Sequence, residues 1–478
     1  MAFLKNLTPF TLPLLLAACG NDDVDPNAIN TPDIYEFSSQ TVPSMASSVD
    51  YKEATTRLIL INELKHLIGS DYLQSYGKDK TKVQVINLLN RLYLTGTKSG
   101  DNNLANFNLY DLHDPDDAEE PGATPIKGIA IESELPLLQS SFANLAANVN
   151  LKDKMPGIVS DLIYKDSEDN ADFIGWQITG IFDDNALPDE MIQQWFDIIG
   201  ELAADGDDNT KFIKNGIDYQ QLVSTFLLGA ISYGQATNQH LYINAESNNA
   251  SDANDDGYTP LQHHWDLAFG YYGAAKHLGQ LTQTQIIEKP DHNFVNDSID
   301  LYSEYNFDFP INAALRDQAM ILADTDYSGI TNTAFLTGRH IIQSNFQEMD
   351  MDYSSYASTI VENWELSLTA TILHYLNKTR VDLAVYQIYP ILFDDYAYSW
   401  STLKGLSLAL QFNPQSKLSY EQLNDFQNKL KTTPKIYNDP ETKPQSEAGR
   451  ITDYSADIYQ ALPIFSDILF PGRNTRDW

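Results

Sequence analysis

Cysteine is almost absent from these 478 residues: Cys19 is the single example. No internal disulfide can form. Basic residues are scarce as well. Lys and Arg number 30 against 66 Asp and Glu, a formal net charge of −36. That field repels a phosphate backbone, which argues against nucleic acid as a partner, and it opposes docking on anionic lipid through protein charge. It attracts cations and favours solubility. Alternating apolar and polar runs bounded by turn pairs are nearly missing, so sheets contribute little. No fixed-period repeat points to a solenoid. There is no G-x-S-x-G, no H-E-x-x-H and no P-loop, so the common hydrolase, zinc-protease and nucleotide signatures are lacking.

What is present is helical periodicity. Ala54, Leu58, Ile61, Leu64 and Ile68 recur at helical spacing and are followed by Gly69 as a stop signal. Val83 to Gly96, Glu134 to Val149, and Asp189 to Gly206 repeat the pattern. So do Asp218 to Tyr242, with Asp218 as N-cap, Leu261 to Leu278, Ile311 to Asp326, Tyr356 to Asn377, Asp394 to Pro414 and Leu418 to Leu430. Lys98 to Gly128 is a polar loop without periodicity. With 42% hydrophobic residues the chain can fold, and its length exceeds one typical core. The expectation is an all-α protein of helical bundles, two of them packed together with long polar loops, divided into an N-terminal region 49–250 and a C-terminal region 251–478.

The first residues read as an address. Lys5 precedes an apolar run, Leu12 to Ala18, too short to span a bilayer as a mature helix. Leu16-Ala17-Ala18-Cys19 resembles the bacterial lipobox, and the resemblance implies cleavage of a signal peptide, 1–18, and acylation of Cys19. Gly20 stands where a retention aspartate would be, so the implied location is the outer membrane of a Gram-negative cell. Residues 19–48 then read as an acylated cysteine and a flexible tether, and attachment comes from lipid chains rather than protein surface.

Chemistry concentrates in LQHHWDLAFGYYGAAKHL, residues 261–278. At about 100° per residue, His263 and Asp266 share a helix face that continues through Gly270 and Ala274 to His277. An imidazole and a carboxylate one turn apart are a feasible pair of metal ligands, or a base with its orienting carboxylate; the same pairing also satisfies a buried histidine. Two glycines in this stretch call for close packing, since each costs about 1 kcal/mol in a helix interior. Just upstream, Asp252, Asn254, Asp256 and Gly257 match the start of an EF-hand-type calcium loop, with His263 where the bidentate glutamate belongs. Asp324, Asp326, Ser328 and Gly329 form a second match ending in Phe335, and both fit an Asx-rich turn. Gly338, His340 and Gln343 resemble the G-x-H-x-x-E motif of imelysin-like proteins with Gln in place of the carboxylate. Glu365 and His374 are nine residues apart, on opposite helix faces, whereas Glu362 and Glu365 share one.

Several blocks together resemble a bacterial lipoprotein family catalogued as domain of unknown function 4856: Tyr35, Phe37, Ser48-Val49-Asp50-Tyr51 and Arg57; Gly216 to Tyr242; Tyr258 to Ala275; Gly338-Arg339 with the Trp364 to Asn377 helix; and Tyr398 to Pro414. The resemblance implies an all-helical fold and, more loosely, an imelysin-like role in iron uptake. The family pattern carries Glu where this chain has Gln262 and Leu267. Three functions follow as expectations. The first is an envelope lipoprotein binding a metal ion or small ligand through His263 and Asp266, with His264 next and the Asp252 loop beside it; iron is implied by resemblance and calcium by the loops. The second is a hydrolase or peptidase using His263 as general base. The third is a non-catalytic partner of an outer-membrane transporter.

The anchor has a direct check. Cys19→Ser is expected to abolish incorporation of a palmitate analogue and to move the protein from the membrane fraction to the soluble one; labelling equal to wild type would overturn the lipidation.

Overall fold

Polar side chains that start helices recur along this chain, and the structure uses them as caps. The computed structural model describes residues 31–94, 129–131, 133, 135–139, 149–156, 173–176, 187–205, 212–245, 247–252, 254–288, 297–319, 325–347, 352–436 and 445–469. The signal segment, Cys19, the 98–128 loop and Asp324 lie outside them.

Helix α1 (Lys52–Ile68) is followed by α2 (Asp71–Lys78), capped by Ser70, and α3 (Lys82–Tyr93), which opens on a Thr81/Gln84 capping box. Helix α4 (Pro188–Ala204) has Pro188 in its first turn, where the missing N–H costs nothing. A two-stranded hairpin, β1 (Ile213–Lys214) and β2 (Ile217–Asp218), leads into α5 (Tyr219–Leu227), and the Asp218 carboxylate caps it by accepting from Gln221 N, as its position predicts. The helix then widens. Leu228–Tyr233 and Gln235–Ile243 are wound as π-helix.

Helix α6 (Pro260–Tyr272) starts at a Thr259/Gln262 capping box. Beyond it come α7 (Gln283–Ile287), α8 (Asp308–Ala319), α9 (Tyr327–Ser344) and the 35-residue α10 (Ser354–Ile388). Tyr389-Pro390 ends α10, because the proline ring disfavours helical backbone in the residue before it. Helix α11 (Phe393–Ala409) stops at Asn413-Pro414 after one 3₁₀ turn. Helix α12 (Tyr420–Leu430) has a Ser419/Gln422 box; α13 (Gln445–Gln460) and α14 (Leu462–Leu469) complete the order. The fold is all-α, with the hairpin as the only paired strands among the described residues.

Helix α1 is buried on nearly every side, not along one stripe. Ile59, Leu60 and Leu67 are enclosed together with Leu58, Ile61, Leu64 and Ile68. A helix apolar all round belongs at the centre of a fold, and α1 packs against α2, α3, α5 and α6. Each such side chain contributes roughly 1.5–3 kcal/mol on burial. The expected division at residue 250 meets no break in packing: buried side chains from both sides of it form one continuous core, from Tyr35 to Phe465.

Three expectations are corrected. The helix predicted over Glu134 to Val149 is not formed at 135–139. There Pro136 supplies only a carbonyl, which accepts from Ile299 N, and Leu137 makes a parallel bridge to Ile299; residues 140–148 lie outside the described set. The predicted tether ends earlier than residue 48, because Tyr35, Phe37 and Ser48 are buried. And α6 does not run on to His277. Gly273 adopts φ +79°, a left-handed cap that ends the helix at Tyr272. Gly270 is the packing glycine, since a Cβ there would stand 2.6 Å from Tyr51 Cβ on the incoming chain.

Glu63 marks a pH-sensitive point of this core. One carboxylate oxygen accepts from Ala130 N at 2.7 Å, the other is buried without a partner, and burial pushes the group up to about 8. Between about pH 4.5 and 8 the folded chain therefore holds a proton that the unfolded chain has released. This contribution is complete below pH 4.5 and is lost as pH rises toward 8, by ~5 kcal/mol at most. Glu63→Gln is expected to flatten the fall of unfolding free energy over that range in urea titrations; parallel curves for the two proteins would refute it.

Candidate functional site

The first turn of α6 is fixed by its capping box. Thr259 Oγ1 accepts from Gln262 N, and Gln262 Oε1 accepts from Thr259 N at 3.1 Å. That box sets the direction of the next four side chains. His263 and His264 are half-buried, while Trp265 and Asp266 point inward, Asp266 at 0% exposure.

Asp266 is the acceptor of a buried polar centre. Tyr35 hydroxyl donates to Oδ1 at 2.8 Å, and Arg339 on α9 donates through Nε to Oδ1 at 2.8 Å and through Nη2 to Oδ2 at 3.4 Å. Arg339, also 0% exposed, donates further to Ser48 Oγ at 2.8 Å and Gln343 Oε1 at 3.2 Å, and its guanidinium lies 4.8 Å from the centroid of Phe37. Burial pushes the Asp266 carboxyl up, and Arg339 is the strongest influence opposing it. Burial and then the neighbouring Asp266 raise Tyr35 well above its ordinary range, which keeps the phenol a proton donor. The centre is satisfied on all sides by protein. Asp266 therefore makes no hydrogen bond to His263, and the expected imidazole–carboxylate pair does not form: the carboxylate turns to an arginine 73 residues away. Gln343, of the imelysin-like triplet, serves the same arginine.

The histidines assemble differently from the expectation. His264 Nδ1 is hydrogen-bonded at 3.0 Å to Nδ1 of His240, which the π-wound segment delivers, one ring donating and the other accepting. The His263 ring stands 6.4 Å from that of His264 and stacks on Tyr258 at 4.5 Å. His240 is buried and stacks on Tyr271. Ser232, in the preceding π segment, donates its hydroxyl to the Tyr271 carbonyl and ties the two elements together. Two ring nitrogens, His240 Nε2 and His263 Nδ1, are buried without a hydrogen-bond partner. Burial, then the neighbouring His264, holds His240 well below the ordinary imidazole range; burial, then His263, pushes His264 down to about 4. Both imidazoles are thus neutral at pH 7, the form in which imidazole ligates metal, with one Nδ1 donating the proton of their hydrogen bond and the other accepting it.

Imidazole nitrogens about 2.0–2.1 Å from one ion in adjacent positions stand about 3.0–3.4 Å apart, so the hydrogen-bonded Nδ1 pair has the spacing of a chelate once its proton is displaced. Among the described residues no group of three His, Cys, Asp or Glu side chains is arranged to hold a metal ion. Gln262 is occupied in the capping box and Leu267 is core, so neither position supplies the carboxylate of the family pattern.

The Asp252 loop is closed by protein donors. Its carboxylate accepts from Asn254 N, Asp256 N, Gly257 N and Thr41 Oγ1, at 3.2, 3.0, 2.7 and 2.8 Å. Asn254 and Asp256 are exposed. This is an Asx-type turn in which N–H groups take the oxygens that a calcium ion would need. In the second loop, Asp326 caps α9 and Ser328 hydroxyl donates to Asp317. Glu365 is enclosed by Asn413, Ser416 and Lys417 N, whereas Glu362 pairs with Lys417 at the surface, so they form no carboxylate pair.

His240 was absent from the sequence-based candidates, and so was the role of Arg339. Both nonetheless lie inside the blocks that carry the resemblance. These features define an all-α protein organised around a buried ion pair, with a neutral imidazole pair beside it. The family model described as Domain of unknown function (DUF4856) matches residues 143–457, well over half of the chain, and the chain belongs to that family. No curated protein and no solved structure matches it.

Removing either partner of the ion pair strands the other in a dry site. Asp266→Leu and Arg339→Met are each expected to cost ~3–5 kcal/mol, and the double change Asp266→Leu/Arg339→Met less than their sum. Urea denaturation of the four proteins measures this; additive losses would show that the two side chains act separately.

Proposed function

We propose that this chain is a non-enzymatic envelope lipoprotein whose helical body binds a divalent transition-metal ion through His240 and His264, with His263 at the rim. The observation that carries the reading is the 3.0 Å hydrogen bond between ring nitrogens of two neutral imidazoles from different elements, whose proton a bound ion would displace. Imidazole donors suit copper, nickel, zinc or ferrous iron, and oxygen-seeking calcium poorly. Two protein ligands leave the remaining coordination positions to water or to a small chelating molecule, which suits a carrier or a sensor better than a permanently closed structural site. Iron, implied by the resemblance, stays within this donor chemistry. The hydrolase reading has less support, because Asp266 is committed to Arg339 and does not orient His263.

The test is binding of Cu(II), Ni(II), Zn(II) and Fe(II) to the chelator-treated protein, read by competition with a chromophoric chelator, with Ca(II) as comparator. One ion per chain is expected, weakened at least tenfold by His264→Ala and unaffected by Asp252→Asn. Equal affinity in wild type and the His240→Asn/His264→Ala double variant would sink the proposal.

A further inference from the structure

A second cleft shares no lining residue with the histidine cluster. The four residues 173–176 and helix α12 enclose a cleft of about 450 Å³, lined among others by Trp176, Tyr420, Asn424, Asn428, Lys431 and Thr432. Pockets of about 300–1,000 Å³ with a few convergent polar groups are the usual size for small ligands. Among the described residues that line it, none is Asp or Glu.

Behind the lining stands Lys404 of α11. It is 0% exposed. Its Nζ donates to Gln427 Oε1 at 2.7 Å and to the Lys431 carbonyl at 2.8 Å, and lies 6.0 Å from the Trp176 ring centroid. All of these partners are neutral. Among the described residues no carboxylate pairs with it, and burial alone pulls the amine down to about 7. Burial without a counter-charge favours the neutral amine, and an anion placed beside it would favour the protonated form. Three details hold this arrangement in place. Gln427 is fixed by a second bond, from its Nε2 to Ser407 Oγ at 3.0 Å. Trp176 is fixed by donation from Nε1 to Gln194 Oε1 at 3.2 Å. Lys431 sits at φ +68°, ψ 175°, a backbone region that disfavours any side chain, and in that conformation its carbonyl meets Lys404. Strain of this kind persists only where the surroundings enforce it, and it clusters at ligand sites.

We infer that this cleft binds a small organic anion with a flat face: its charged group takes the amide, hydroxyl and ammonium donors of Asn424, Asn428, Thr432 and Lys431 above Lys404, and its ring lies against Trp176 and Tyr420. The ligand supplies the counter-charge that the protein withholds. An aromatic surface beside a positive centre selects for such a molecule over a neutral one of the same shape.

The experiment is calorimetric titration of the whole protein with benzoate, phenyl phosphate and neutral benzyl alcohol. Benzoate or phenyl phosphate is expected to bind at least tenfold more tightly than benzyl alcohol, and the tighter of the two identifies the charged group as carboxylate or phosphate. Lys404→Met, which replaces the cation with an apolar chain of similar length, is expected to keep the fold and weaken anion binding at least tenfold. Lys431→Gln, at an exposed position, is the second variant should the first not fold, with a loss of at least threefold. His264→Ala should leave every value unchanged. Benzyl alcohol binding as well as the anions, no binding by any probe, or wild-type anion affinity in both lysine variants would each overturn the inference.

Discussion

The Asp266–Arg339 ion pair is the constraint around which the rest is arranged. Both side chains are wholly buried, so neither can rely on water, and every donor and acceptor around them must come from protein. That requirement recruits Tyr35 and Ser48 from the N-terminal segment, Gln343 from one turn along α9 and the face of Phe37. Three parts of the chain far apart in sequence are thereby registered on one point. An apolar cluster of similar volume could be as stable. What the ion pair adds is a fixed mutual position of α6, α9 and the segment that enters α1.

The imidazole pair depends on that registration and on a second feature, the widened helix after Leu227. A π turn takes up more residues than an α turn and so rephases every side chain beyond it. His240 reaches α6 from such a segment, while Tyr271 and Ser232 brace the crossing. π-Helical winding is uncommon and concentrates at functional sites. Here it delivers His240, whose Nε2 is buried without a hydrogen-bond partner.

Local signals in the sequence were read well where they act locally. Asp218 is the N-cap its position predicts, and the apolar spacing of α1 and α3 marks real helices, while the Thr259/Gln262 and Ser419/Gln422 capping boxes emerge only in the structure. The all-α class follows from these alone. The site was legible only in part. Its region was apparent, because two histidines, a tryptophan and an aspartate adjoin glycines that need a packing reason. Its wiring was not. The partner of Asp266 lies on another helix, and helical-wheel geometry at constant pitch cannot place His240 beyond a π segment. Gly273 illustrates the same limit. Interior glycine and C-terminal cap look identical in sequence, and the φ of +79° that separates them is set by how the chain turns toward Phe307, whose N–H donates to the Gly273 carbonyl. Helices α13 and α14 lacked any signal strong enough to be singled out.

The way residues 31–51 join the body has a mechanical consequence. Tyr35 lies flat on Phe269 with centroids 3.7 Å apart, its N–H donates to the Lys276 carbonyl, Lys276 grips Glu36, and Ser48 holds the arginine. Tension arriving through the chain before Thr31 would load these attachments together, in shear, instead of unzipping a helix from its end. A body held at its leading end would then yield at its most deeply enclosed contacts and not at its periphery.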